Sequence, residues 1–165
     1  MARYSLTYTS VSMSPVGDGA NLTNGSYAAL LQGGTGTMRL NVGEIYLGGE
    51  STASAVCIAV WARDSIVGAT VTAGTTRNAV TDASNTAPGT TAVTGNNATT
   101  NPNRSATLHL LHPSFNAFGG IARWQARPGE DISIVGNTAS LGECSLSLYS
   151  GGSGIVSGHI LYEVA

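Results

Sequence analysis

The sequence predicts an all-β fold: an antiparallel, jelly-roll-like β-sandwich with a long polar loop and an irregular N-terminal segment. Three observations lead there. At least five segments alternate apolar and polar residues, the two-residue period of a strand buried on one face. Gly-rich turns separate these segments at short intervals, as in sandwiches and barrels. One short stretch alone has helical character, which puts helix under about 10% against a usual third. A chain of 165 residues makes one domain, 1–165, and buries roughly 70% of its unfolded surface. A core of that size needs no disulfide or metal to hold it.

The N-terminal 37 residues read as an arm. Tyr4, Leu6 and Tyr8 alternate with Ser5, Thr7 and Thr9, so the arm opens on a half-buried strand. A polar loop through Pro15, Gly17, Asp18 and Gly19 follows. Residues 26–32, Ser-Tyr-Ala-Ala-Leu-Leu-Gln, form the helical candidate, with Ser26 as N-cap and Gly33 as stop.

In the next strand Met38, Leu40 and Val42 share one face, whereas Ile45 and Leu47 take the opposite parity. A β-bulge at Gly43-Glu44 would restore the phase and turn all five inward. After the turn at 48–52, residues 53–62 are almost continuously apolar, which fits a strand buried on both faces.

Residues 73–104 are a long Thr/Asn/Gly-rich loop with room for short strands around 79–81 and 90–93. Loops of such length in a compact domain are usually functional or disordered. Strands follow at 105–112 and 120–126. Arg127-Pro128-Gly129-Glu130 fits a type II turn with glycine at the third position, leading into 131–135. Cys144, Leu146 and Leu148 alternate with Glu143, Ser145 and Ser147 across 141–149. A turn at 151–154 then leads to the last strand, where Val156, Ile160, Tyr162 and Val164 share a face.

Composition narrows the function. Only 10% of residues are charged, none of them lysine, against about 25% in an ordinary soluble domain. A surface of Gly, Ala, Ser, Thr and Asn tolerates contact with other protein. The net charge is −2 and the seven arginines are scattered, so no basic field for nucleic acid forms. No run approaches the 18 apolar residues of a membrane span. No long apolar leader opens the chain, which favours synthesis in a cytosol-like compartment. In that setting the Asn-x-Ser/Thr sequons at Asn21, Asn24, Asn97 and Asn103 are chance occurrences. Cys57 and Cys144 lie in apolar runs and read as buried free thiols.

No catalytic constellation emerges. His109-Leu110-Leu111-His112 is an H-x-x-H, but residues three apart on a regular strand face opposite ways. The pair should not ligate one ion, and no metal or cofactor is expected. His159 reads as a sheet-face or interface residue. Glu130 and Asp131 read as solvated turn carboxylates. Nucleophile elbow, phosphate loop and dinucleotide fingerprint are all missing. Trp61 and Trp124 could build a sugar platform, but each sits on an apolar face and reads as core or subunit contact. The chain is expected not to be an enzyme.

Two stretches carry a family resemblance. One is the strand through Gly43-Glu44-Ile45-Tyr46-Leu47, its small-residue turn and the apolar strand to Arg63. The other is the series 124–134, 146–152 and 158–164. In strand lengths and turns these are similar to the small jelly-roll decoration, or cement, proteins of tailed-phage heads. The resemblance covers roughly the C-terminal two-thirds, apart from the 73–104 loop. It implies a virion structural protein that decorates and stabilises the capsid, assembles as a homotrimer, and has the major capsid protein as partner. A receptor- or carbohydrate-binding module of a phage tail, or a trimeric lectin-like head, is the alternative on the same fold. The arm and the 73–104 loop, rich in small polar residues, are the expected contact segments. Tyr4 and Tyr8 would be anchors, and Arg77 and Arg104 would pair with capsid carboxylates.

Overall fold

The computed structural model describes residues 2–33, 39–69, 71–81, 92–136 and 142–165. These form twelve strands and no helix. They are β1 (Ala2–Met13), β2 (Tyr27–Gly33), β3 (Arg39–Glu50), β4 (Val56–Ile66), β5 (Thr76–Val80), β6 (Ala92–Gly95), β7 (Asn103–Leu111), β8 (Ser114–Asn116), β9 (Phe118–Gln125), β10 (Ile132–Val135), β11 (Glu143–Gly151) and β12 (Gly154–Val164). Two antiparallel sheets pack face to face. Sheet A runs β10-β3-β12-β1-β5, with β9 also on β3; sheet B runs β6-β2-β11-β4-β7, with β8 also on β4.

The pairing is nested. β1 pairs with β12, β2 with β11, β3 with β10 and β4 with β7. A long hairpin that folds in two and rolls up pairs its strands in this order, which is the wiring of a jelly roll. β5 and β6 extend it at one edge of each sheet.

The core lies between the sheets. Leu6, Leu40, Val42, Ile45, Leu47, Ile160 and Tyr162 project from sheet A; Leu31, Ala59, Trp61, Cys144, Leu146 and Leu148 project from sheet B. Each large aliphatic so buried contributes on the order of 2 kcal/mol. The strand alternation read from Tyr4-Leu6-Tyr8 and from Cys144-Leu146-Leu148 is the alternation that fills this core.

Three phase slips keep the right residues inside. Leu161 faces Glu44 while Tyr162 faces Val42, so Gly43 is the extra residue of a bulge where the sequence required one; Met38 lies outside the described residues. In β1, Tyr8 faces Gly158 while Val11 faces Val156. The slip uses Ser10 in the left-handed region at φ 50°, and returns Val11 and Met13 to the core. The third slip, in β7, shapes the site described below.

The N-terminal segment requires correction. The helix expected over 26–32 is instead strand from Tyr27 to Gly33, with Ser26 just outside it. β2 is buried along its whole length, so it shows no polar alternation, and a strand apolar on both faces resembles a short buried helix. β1 and β2 are inner strands of their sheets, so among the described residues of this segment only 14–26 are irregular. The short strands expected in the long loop are β5 and β6, each shifted by a few residues; 82–91 lie outside the described residues.

Sheet B carries a second layer. Val16 and Leu22 from the β1–β2 connection, Val71, and Ala98 pack with Tyr27 and Leu30 on its outer side. The polar positions of β11 are therefore buried as well: Glu143, Ser145 and Ser147 are fully inaccessible.

Candidate functional site

The outer side of sheet B holds a cluster of titratable groups. β7 follows β4 irregularly. Ala62 faces His109 and Trp61 faces Leu111, so Leu110 is an extra residue. The bulge slips the phase by one, and Leu110 and Leu111 both pack against the core. His109 and His112 consequently reach the same face, with Nδ1 of His109 and Nε2 of His112 2.8 Å apart. This overturns the premise that an H-x-x-H on this strand must diverge, because the strand is not regular and His112 lies just past its end.

Three further residues complete the cluster. Nε2 of His109 lies 3.0 Å from Oδ1 of Asp18, on the β1–β2 connection. The Tyr149 ring, from β11, meets both imidazoles edge-on at 5.3 Å. Arg104 is fully buried. Its Nε donates to Asp18 Oδ1 at 2.8 Å and its Nη1 to Ser147 Oγ at 2.7 Å; Nη2 donates to the Val16 carbonyl. The guanidinium also lies over the Tyr149 ring, 5.3 Å from its centroid. Burial pulls the Asp18 carboxyl up, but hydrogen bonds and charge from Arg104 and His109 outweigh it and hold the group below its usual range. Burial, with the neighbouring His109 and Arg104 charges, lowers His112.

A second acidic feature lies deeper. Asp64 on β4 and Glu143 on β11 are both fully inaccessible and close enough to shift each other's ionisation. Ser145 Oγ donates to Asp64 Oδ1 at 2.7 Å, and the Gly68 N–H donates to Glu143 at 2.9 Å. Desolvation and mutual repulsion push Asp64 well up, and desolvation raises Glu143 to about 7. Two carboxyls in contact must share a proton. Without solvent access the pair cannot meet a substrate.

The outer face of sheet A carries a third group. Glu44, beside the Gly43 bulge, accepts two hydrogen bonds from Arg123, at 3.1 and 2.9 Å, and lies 3.0 Å from Nε2 of His159. The Arg123 hydrogen bonds lower the Glu44 carboxyl against the opposing effect of burial, with His159 adding to the shift. Tyr46 stacks on His159 at 5.3 Å, nearly parallel at 6°. Beside them lies a shallow depression of about 500 Å³, floored by Gly48, Gly120 and Gly158 and edged by Thr7, Glu50 and Ile121.

The residues expected to bind a partner fall in different places. Tyr4 and Tyr8 are core residues, 5% and 1% exposed. Tyr4 stacks on Tyr162 at 5.3 Å, and the Tyr8 hydroxyl donates to the Tyr46 carbonyl at 2.6 Å. As inward residues of an inner strand they have no free surface to offer a partner. Arg104 is likewise withdrawn into its pair with Asp18. Arg77 alone is exposed, its guanidinium donating to the Gly74 and Thr76 carbonyls. Trp61 is buried core and Trp124 packs against it. Glu130 and Asp131 are exposed beside a turn that Gly129 completes at φ 83°. Cys57 and Cys144 are buried free thiols. Among the described residues no group of three or more His, Cys, Asp or Glu side chains converges as metal ligands do.

Comparison of the chain with known protein families, curated proteins and solved structures finds no match.

Proposed function

We propose that the chain is a virion structural protein that decorates and stabilises the head of a tailed phage by protein–protein contact. Its partners in this reading are copies of itself, as a homotrimer, and the major capsid protein. The observation that carries the reading is an apolar end on a surface with little charge. Val56, Phe118 and Ile155 are 69%, 62% and 38% exposed. They are gathered around Ala117, which bonds both Ala55 and Ser51, while Ser51 in turn accepts from the Ile155 N–H.

Next to this end runs the open side of β9. Ala126 donates to the Gly43 carbonyl, so the even-numbered residues bond β3. Ile121, Arg123 and Gln125 therefore aim their backbone groups away from the sheet. Natural edge strands are usually blunted by lysine, proline or inward charge. β9 has a single charge, Arg123, already engaged by Glu44. Apolar anchors beside an edge that is unpaired among the described residues suit association of subunits, and few charges mean little ion desolvation on burial. The jelly-roll wiring and the resemblance in strand lengths and turns point the same way.

Light scattering coupled to gel filtration tests the reading. A trimer at micromolar concentration is expected, with Phe118→Asp shifting it to monomer, and electron microscopy should locate the chain on the particle surface. A monomeric wild-type protein absent from the particle would overturn it. The depression beside Tyr46 favours the second reading, a carbohydrate-binding module, because an aromatic beside hydroxyl and carboxylate groups suits a sugar. A glycan array in which binding is lost with Tyr46→Ala would select it.

A further inference from the structure

We propose that His109 and His112 chelate a divalent transition-metal ion, Cu²⁺ or Ni²⁺ before Zn²⁺, on the outer side of sheet B. The spacing of the two nitrogens carries the assignment. Two imidazole ligands about 2.0 Å from an ion and at right angles to each other stand about 2.8 Å apart, whereas a tetrahedral angle opens them to about 3.3 Å. The hydrogen bond between the rings already holds the nitrogens 2.8 Å apart, within the span of adjacent positions in the square or tetragonal sites preferred by Cu²⁺ and Ni²⁺.

The surroundings are those of a metal-binding histidine. Asp18 Oδ1, 3.0 Å from His109 Nε2, holds the ring proton on that nitrogen and leaves the Nδ1 lone pair for the ion. A carboxylate behind a ligating imidazole fixes its tautomer and raises its basicity. Without an ion, the His112 Nε2–H donates to that lone pair. Binding requires the other tautomer of His112, its proton passing through solvent from Nε2 to Nδ1, as the ring turns until both lone pairs meet at one point. His112 is exposed, beyond the end of β7, which leaves its ring room to turn. Tyr149 packs edge-on against both rings and limits their range. The Arg104 charge would repel an ion, but it is paired with Asp18. Two protein ligands leave the other positions to water, so affinity should be micromolar, and it should fall as pH drops and protons compete. The groups facing the imidazoles are Asp18, Arg104 and Tyr149.

Titration of tag-free protein with CuCl₂, followed by calorimetry and electron paramagnetic resonance, tests the site. One Cu²⁺ per chain with imidazole-nitrogen hyperfine structure is expected. His112→Ala, at an exposed position, should weaken binding at least tenfold, as should His109→Ala, while His159→Ala leaves it unchanged. Asp18→Asn, which alters a positioning residue, should weaken binding about tenfold. Imidazole ¹⁵N spectra of the wild-type protein with Zn²⁺ give a readout independent of any variant: His109 Nδ1 and His112 Nε2 should shift and His159 should not. No Cu²⁺ binding at millimolar concentration, or binding that survives loss of both histidines, overturns the proposal.

Discussion

Asp64 and Glu143 hold their carboxyl groups close enough to repel each other inside a layer that water does not reach. Strand positions that alternate with core residues ordinarily face solvent, and here the 14–26 connection and the segments around Val71 and Ala98 roof them over. The pair makes the fold sensitive to pH.

Both carboxyls are raised in the folded state, Glu143 to about 7, so the folded protein binds more protons than the unfolded chain from about pH 4 upward. Stability from this pair is fully present below the unfolded pKa and declines as pH rises through the folded one. Thermal unfolding followed from pH 5 to pH 8 should show a fall in stability of about 2 kcal/mol. Glu143→Gln should flatten that slope and raise stability at pH 8. Asp18 and Glu44, both lowered, act in the opposite sense below about pH 4. An unchanged slope in Glu143→Gln would remove the pair as its cause.

Arg104 ties the β1–β2 connection to sheet B through Asp18, Val16 and Ser147. Arg104→Ala strands a carboxylate and several acceptors and should destabilise the fold by about 3 kcal/mol. Hydrogen exchange should accelerate at the Val16 N–H, which donates to the Leu148 carbonyl. Arg104→Lys should not rescue, since a lysine cannot spread donors over three partners.

Gly158 passes directly over a neighbouring backbone. A Cβ there would overlap the Tyr46 carbonyl and the Tyr8 hydroxyl, so Gly158→Ala should cost about 2–3 kcal/mol, read as a lower denaturant midpoint. Gly17→Ala, with nothing within 4 Å, should leave the midpoint in place.

Burial pushes the Cys57 and Cys144 thiols up, and thiolate is the reactive form. Neither should react with a disulfide reagent in the native protein, and both should react in guanidinium. Rapid labelling of the folded chain would show that an opening motion exposes one of them.

Much of this was legible in the residues. Period-two runs located the strands, and the parity change between Val42 and Ile45 required the bulge found at Gly43. The slip at Leu110 left a fainter mark, a Leu-Leu doublet that is ambiguous until both side chains are seen to face the core. Tyr27–Gly33 was misleading because burial on both faces removes the alternation that separates strand from helix. Tyr4 and Tyr8 announced a strand but not that it lies between β12 and β5. The Asp18–Arg104 and Asp64–Glu143 contacts join residues 86 and 79 positions apart, and no local pattern encodes such a meeting.

The nested wiring also constrains synthesis. β1 is made first, yet its longer ladder is with β12, where Ala2 faces Val164. The strand that completes this ladder is thus made after the other eleven. Until it emerges, β1 exposes Leu6, Tyr8 and Met13 with one flank open. Assembly of the sandwich therefore waits for β12 and, with its pairings so distant in sequence, is slow. A nascent chain stalled before residue 154 should remain protease-sensitive and bound by holdase chaperones.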